Sequence, residues 1–97
     1  PGHSLSDDIL YKKYKIDYKA GKFALAAEKL DQIVLNYSDD ILGDDAVFKL
    51  AELYEKNLND AEKAKKLYQE VLLNYPGSLY AVEARKRYRK MRGDGLN

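Results

Sequence analysis

The chain has 97 residues, of which 45% are hydrophobic and 34% charged, a balance typical of a globular protein with one modest core. Its formal net charge of +1 indicates no overall preference for a polyanionic or polycationic partner. The absence of cysteine excludes disulfide bonds, thiolate metal sites and cysteine nucleophiles.

The first third of the sequence predicts two helices that meet at a glycine. The first helix is predicted over residues 6–19, and Gly21 then supplies the left-handed residue that commonly ends a helix. The second is predicted over residues 22–37. Its apolar residues recur at spacings of three and four, which places them on one face: Phe23, Ala26, Ala27, Leu30, Ile33, Val34 and Tyr37.

The middle of the sequence predicts a second pair of helices. The first runs over residues 44–56, with Asp44 and Asp45 in its first turn, where negative charge is favourable. Asn59 is predicted to cap the next helix, which runs to Tyr75. The apolar stripes of these two helices consist of Val47, Leu50, Ala51 and Tyr54, and of Ala61, Ala64, Tyr68, Val71, Leu72 and Tyr75.

A fifth helix is predicted over residues 79–92, and its apolar side is narrow. That side consists of Ala81, Ala84, Tyr88 and Met91. No segment alternates with the period of two that a half-buried strand requires. The sequence therefore predicts an all-α fold of five antiparallel helices.

An internal repeat relates these helices to one another. Residues 33–37 (IVLNY) reappear as residues 71–75 (VLLNY) at an offset of 38, and residues 5–12 reappear as residues 42–49 at an offset of 37. Periods in this range are the signature of stacked repeat units.

The repeat divides a single domain over 1–97 into two units and a half. We expect a first repeat at 1–37, a second at 38–75 and a C-terminal capping half-repeat at 76–97. Because the chain opens on a Pro-Gly pair that also opens the half-repeat, we expect it to be excised from a longer repeat protein.

The spacing of glycine, alanine and aromatic residues resembles the tetratricopeptide repeat family. Residues 21–26 (GKFALA) resemble the opening of that family's second helix, and Ala51, Tyr54, Ala64 and Tyr68 match its pattern in the next unit. The resemblance implies an α-solenoid of helical hairpins that binds a protein or peptide. It implies no catalysis, no cofactor and no small-molecule substrate.

The units are longer than the standard repeat of this family, and this length points to a particular variety. Together with residues 74–84 (NYPGSLYAVEA), it is similar to the repeats of bacterial outer-membrane assembly lipoproteins and of the periplasmic coordinator of the Tol system. This similarity favours a bacterial protein in the periplasm or associated with the outer membrane, with the cytoplasm as second choice.

The same resemblance implies a binding groove, because the first helices of such repeats line the concave side of the solenoid. The predicted partner-binding residues are Tyr11, Lys15, Tyr18, Phe48, Glu52, Lys86 and Lys90. The alternative for Tyr11 and Phe48 is that they pack between neighbouring helices. The groove lacks the two-lysine, two-asparagine pattern with which some family members clamp a C-terminal carboxylate, so that ligand is not predicted.

Two other functions are weighed against a protein-binding groove. The basic run 85–92 (RKRYRKMR) could bind nucleic acid or another anionic surface, but the last helix of a repeat stack also needs a polar outer side for solubility. The preceding residues are net acidic, which makes nucleic acid the less favoured partner. The units could also serve as a structural spacer that binds nothing but other repeats of the parent chain.

No motif in the sequence predicts an enzyme or a metal site. His3 is the only histidine and has no partner for a nucleophilic or metal-binding constellation. The acidic stretch 38–45 lacks the spacing of a calcium loop. The Arg92-Gly93-Asp94 tripeptide, which matches an integrin-binding motif, is explained by a glycine that ends the final helix.

Overall fold

A computed structural model of the protein describes residues 3–37 and 43–93, with side chains over 8–36 and 43–93. Within these ranges the chain forms five α-helices and no strand, which confirms the all-α prediction. The helices are α1 (His3–Lys19), α2 (Phe23–Tyr37), α3 (Gly43–Lys56), α4 (Ala61–Asn74) and α5 (Ala81–Arg92). No helix within the described ranges combines the length and the apolar character that a membrane crossing requires.

The junction between α1 and α2 is a tight turn that depends on a glycine. Gly21 has a φ of 76°, a conformation that L-amino acids rarely adopt but that glycine adopts readily. Its N–H donates to the carbonyl of Tyr18 (3.0 Å), and the N–H of Lys22 donates to the carbonyl of Asp17 (2.8 Å). This pair of hydrogen bonds satisfies the last carbonyls of α1 and reverses the chain, as the sequence predicts.

The junction between α3 and α4 corrects one prediction. The cap of α4 is Asp60, whose carboxylate accepts a hydrogen bond from the N–H of Lys63 (3.1 Å), and not the predicted Asn59. Asn59 instead has a φ of 54°, a left-handed conformation that asparagine tolerates better than most residues. The two polar residues thus divide the roles of turn and cap between them.

Two helices begin more than one residue away from their predicted starts. A turn in which the N–H of Ala81 donates to the carbonyl of Ser78 (3.1 Å) precedes α5, so this helix starts at Ala81 and leaves Leu79 94% exposed. Helix α1 begins at His3, ahead of the predicted residue 6. Asp8 therefore lies beyond the first turn of α1, whereas Asp44 and Asp45 do lie in the first turn of α3.

The core consists of two clusters of buried side chains that share helix α3. The first joins α1, α2 and α3 through Tyr14, Ala26, Ala27, Leu30, Ile33, Ala46, Leu50 and Leu53. The second joins α3, α4 and α5 through Val47, Phe48, Ala51, Ala64, Tyr68, Val71 and Ala84. Helix α3 is buried on two sides because it packs against the hairpin before it and against its own second helix.

Most of the predicted apolar stripes are buried, and one position is wrong. Ala61 is exposed, because it is the first residue of α4 and precedes the part of the helix that packs in the core. The stripes also missed Tyr14, Ala46 and Leu53, which are buried by the neighbouring hairpin. The stripe of a single helix does not reveal this second buried side.

The helices stack in chain order, and each packs chiefly against the next one along the sequence. The result is an elongated body with principal extents of 48 × 30 × 17 Å. We call α1, α3 and α5 the A helices and the side on which their polar residues meet the A-helix face. Some predictions lie outside the described side chains, namely those for His3, Tyr37, residues 38–42 and Asp94.

Candidate functional site

The A-helix face contains a cleft of about 330 Å³ between α1 and α3. A smaller depression of about 70 Å³ adjoins it and shares Tyr14, Tyr18 and Lys49. We call the larger one the tyrosine cleft. Its lining consists of Tyr11, Tyr14, Lys15, Ile16, Tyr18, Lys19 and Lys49.

The floor of the tyrosine cleft is a row of aromatic rings along α1. The ring centres of Tyr11 and Tyr14 are 5.4 Å apart, and those of Tyr14 and Tyr18 are 5.9 Å apart. Tyr18 in turn contacts Phe23 of α2 edge to face at 5.5 Å. Spacings of three and four along a helix put these rings on one side, where they support one another.

The three tyrosines differ in exposure, and this determines what each can do. Tyr14 is 8% exposed, and burial raises its pKa to about 12, so its hydroxyl stays protonated at neutral pH. Tyr11 is half-buried, whereas Tyr18 is 44% exposed and Ile16 beside it is 66% exposed. The outer part of the cleft is therefore apolar and open to solvent.

One wall of the cleft is held by the carboxylate of Asp45 at the start of α3. It accepts hydrogen bonds from the Tyr11 hydroxyl (2.6 Å), from Lys49 Nζ (3.1 Å) and from the Tyr80 hydroxyl. Burial by itself raises the pKa of Asp45, but these hydrogen bonds lower it below its usual value. For Tyr11, burial and the bond to Asp45 both raise the pKa. Asp45 thus fixes α1, α3 and the turn before α5 to one another.

A second polar cluster lies farther along the A-helix face, around Arg87 of α5. Arg87 donates to Glu52 (2.8 Å), to the Tyr68 hydroxyl (3.0 Å) and to Glu83 (3.0 Å), and Tyr68 donates to Glu55 (2.5 Å). Burial by itself lowers the pKa of Arg87, but the hydrogen bonds with Tyr68 and Glu52 raise it above its usual value. The cluster joins α3, α4 and α5, and its polar groups are hydrogen-bonded to one another.

The two clusters are repeats of one arrangement. Each A helix has an ion pair between an acid and a cation four residues later, namely Asp8–Lys12 (3.8 Å), Asp45–Lys49 (3.1 Å) and Glu83–Arg87 (3.0 Å). Lys49 also lies 6.0 Å from the ring centre of Tyr11 on the preceding A helix. Arg87 lies 5.4 Å from the ring centre of Phe48, which is the repeat equivalent of Tyr11.

The structure brings together only some of the predicted partner-binding residues. Tyr11, Lys15 and Tyr18 all line the tyrosine cleft. Phe48 is only 6% exposed, so it packs in the core, as the alternative prediction has it. Its ring stacks on Tyr80 at 4.7 Å, which closes its surface to a partner.

The remaining predicted residues lie away from the cleft. Glu52 lines the smaller depression and is paired with Arg87. Lys86 and Lys90 are exposed on α5 and line neither cavity.

Sequence reasoning missed Asp45, Lys49, Tyr80 and Arg87 as organisers of this face. A signal was present for three of these positions, because an acid followed four residues later by Lys or Arg recurs at the repeat offset. Over the described part of the chain, no group of three or more histidine, aspartate and glutamate side chains is arranged to hold a metal ion.

Comparison with known proteins gives one family match. Residues 45–78, which include most of α3, all of α4 and the turn after it, match the model of the tetratricopeptide repeat. Searches of curated proteins and of solved structures found no match for the chain. Together with the five-helix stack, the family match supports a tetratricopeptide-like chain, and repeats of this kind generally mediate protein–protein interaction.

Proposed function

We propose that this chain is a protein-interaction module that binds a segment of a partner protein in the tyrosine cleft. The observation that carries the proposal is the open, aromatic cleft on the A-helix face, with Ile16 and Tyr18 exposed at its edge. Tyrosine is a favourable contact residue because it buries a large area at a small cost in side-chain entropy.

The surroundings of the cleft support this choice of site. On the same face, Glu52 and Glu83 are paired with Arg87, and Asp45 is paired with Lys49. The side chains of the cleft itself are tyrosines, lysines and one isoleucine, a set suited to contact with a polypeptide segment. In this proposal the module works without a cofactor and without a reaction step.

An unbiased peptide selection tests the proposal. A random-peptide display library is selected against the wild-type protein, and the selected peptides are titrated into isotopically labelled protein by NMR. We expect shift changes centred on Tyr11, Tyr14 and Tyr18. We also expect Tyr18→Ala to weaken binding by about 1–2 kcal/mol, as for an aromatic residue at a partly buried contact.

The matched control is Leu73→Ala on α4, since Leu73 is 71% exposed and lies outside the cleft. It should leave the affinity of the selected peptides unchanged. Selected peptides whose shift changes lie on α4 or on the outer side of α5, and whose affinity Tyr18→Ala leaves intact, would contradict the proposed site.

Further predictions from the sequence concern the setting of the protein and two alternative functions. A bacterial periplasmic setting is supported only by the similarity to outer-membrane assembly lipoproteins and the Tol-system coordinator. The alternative of an anion-binding last helix draws on the exposed basic residues of α5, which are Arg85, Lys86, Arg89 and Lys90. The other alternative is a structural spacer in a longer repeat array, without a ligand of its own.

A further inference from the structure

Lys15 and Lys19 give the tyrosine cleft a positive charge. Lys49 is neutralised by Asp45, but among the described side chains no carboxylate lies within ion-pair distance of Lys15 or Lys19. Lys15 Nζ lies 5.0 Å from the centre of the Tyr11 ring, so its ammonium group is held beside the aromatic floor. Among the side chains that the structure describes, no acidic residue lines the cleft.

The cleft also has room for an apolar group. Its volume of about 330 Å³ is at the lower end of the range for pockets that bind small organic groups. Besides three lysines, the rings of Tyr11, Tyr14 and Tyr18 and the side chain of Ile16 line it. An aromatic or large aliphatic side chain placed there would contact rings on the floor and lysine ammonium groups at the edge.

We infer that the segment bound in the tyrosine cleft is an acidic stretch of polypeptide with an aromatic or large aliphatic side chain. The apolar side chain enters the cleft, and neighbouring carboxylates pair with Lys15 and Lys19. This inference rests on the proposed function and specifies the chemistry of the partner for that site.

The distribution of charge on the A-helix face favours a short acidic segment over a long polyanion. The smaller depression beside the cleft is lined by Glu52, and Glu55 and Glu83 lie with it around Arg87. A nucleic acid strand continuing across this face would meet these carboxylates. A peptide can instead present acidic residues at the cleft and neutral or basic residues beyond it.

A panel of matched peptides tests the inference. Four fluorescent peptides of equal length are compared by anisotropy: glutamates around a phenylalanine, serines around a phenylalanine, lysines around a phenylalanine, and glutamates around a serine. We expect the glutamate–phenylalanine peptide to bind the wild-type protein about 3- to 10-fold more tightly than the serine–phenylalanine peptide at low ionic strength. The other two peptides should bind more weakly still.

Lysine variants locate the effect. The double variant Lys15→Gln, Lys19→Gln should bind the glutamate–phenylalanine and serine–phenylalanine peptides equally. The control Lys13→Gln, Lys66→Gln removes the same charge from two exposed positions outside the cleft. It should keep the difference in affinity between the two peptides. Circular dichroism of each variant checks that the helices are intact.

Three outcomes would overturn the inference. In the first, the serine–phenylalanine peptide binds the cleft as tightly as the glutamate–phenylalanine peptide, which leaves the proposed function standing and removes only the acidic preference. In the second, the glutamate–phenylalanine peptide causes no shift changes at Tyr11, Tyr14 or Tyr18. In the third, a single-stranded oligonucleotide displaces that peptide and binds more tightly. The library selection remains a separate test of the site, because it includes peptides of every composition.

Discussion

At the scale of single residues, the carboxylate of Asp45 organises more of the molecule than any pattern within α3 indicates. It accepts from Tyr11 of α1, from Lys49 of its own helix and from Tyr80 before α5. From sequence, Asp45 is predicted only as a favourable charge in the first turn of α3, which is correct. Its contacts with Tyr11 and Tyr80 span 34 and 35 residues, and local periodicity contains no information about such distances.

Replacement of this carboxylate should produce a pH-dependent loss of stability. We expect Asp45→Asn to lower the free energy of unfolding by about 1–3 kcal/mol at neutral pH, because three donors lose a charged acceptor. The folded-state pKa of Asp45 lies below its usual value, so its contribution is present above the unfolded pKa and lost as the pH falls through the folded pKa. Urea unfolding at about pH 7 and about pH 3 measures this, and the gap between wild type and variant should shrink in acid.

Asp8→Asn is the control, since Asp8 holds the equivalent position one unit earlier with its side chain 58% exposed. It should change stability by less than about 0.5 kcal/mol at either pH. If the difference in unfolding free energy between wild type and Asp45→Asn stays constant from neutral to acid pH, the role assigned to the Asp45 charge is wrong.

The candidate site shows the same division between local and distant information. That Tyr11, Lys15 and Tyr18 lie together could be predicted, because they share one side of α1 at helical spacings. Phe48 has the same position in its own unit, yet it is covered by Tyr80 of the following turn. Whether a residue at a groove position is free or covered depends on the next unit along the chain, which the pattern of one helix does not contain.

At the scale of helices, the ends were easier to predict where only one residue could end or cap the helix. Gly21 and Gly93 end α1 and α5 with φ values of 76° and 95°, as the sequence indicates. At the start of α4, both Asn59 and Asp60 have side chains that can cap. The choice of Asp60 follows from the turn, which places Asn59 in the left-handed region.

The role of Gly21 can be separated from the effect of adding a methyl group. An added Cβ at Gly21 or at Gly77 would meet nothing within 4 Å, but only Gly21 of these two has a positive φ. We expect Gly21→Ala to destabilise the fold by about 1–2 kcal/mol through backbone strain. Gly77→Ala should change the free energy of unfolding by less than about 0.5 kcal/mol. Thermal unfolding of both variants checks this, and equal effects would show that strain at Gly21 is not the cause.

At the scale of the whole molecule, the stack behaves as a short one-dimensional array. Each helix packs chiefly against its sequence neighbours, and the two core clusters share α3. Val34 of α2 and Leu67 of α4 pack against both clusters. The offsets of 37 and 38 residues in the sequence predict an array of this kind, because repetition of sequence implies repetition of contacts.

Such an array should loosen locally when one cluster is weakened. Leu30 is fully buried in the first cluster, so Leu30→Ala should cost about 2–5 kcal/mol there. We expect amide hydrogen exchange to accelerate more in α1 and α2 than in α5, whereas Val71→Ala in the second cluster should give the reverse order. The same acceleration in all five helices of both variants would mean that the stack unfolds as one cooperative unit.

The ion pair on each A helix gives the stack a built-in direction. Lys49 and Arg87 each reach back over an aromatic ring of the unit before them, while the acid four residues earlier holds the cation in place. A hairpin grafted in place of α5 should therefore pack best if its first helix carries both members of this pair at the repeat offset. A design that lengthens the protein can therefore place an acid, and a cation four residues later, on the first helix of each added hairpin.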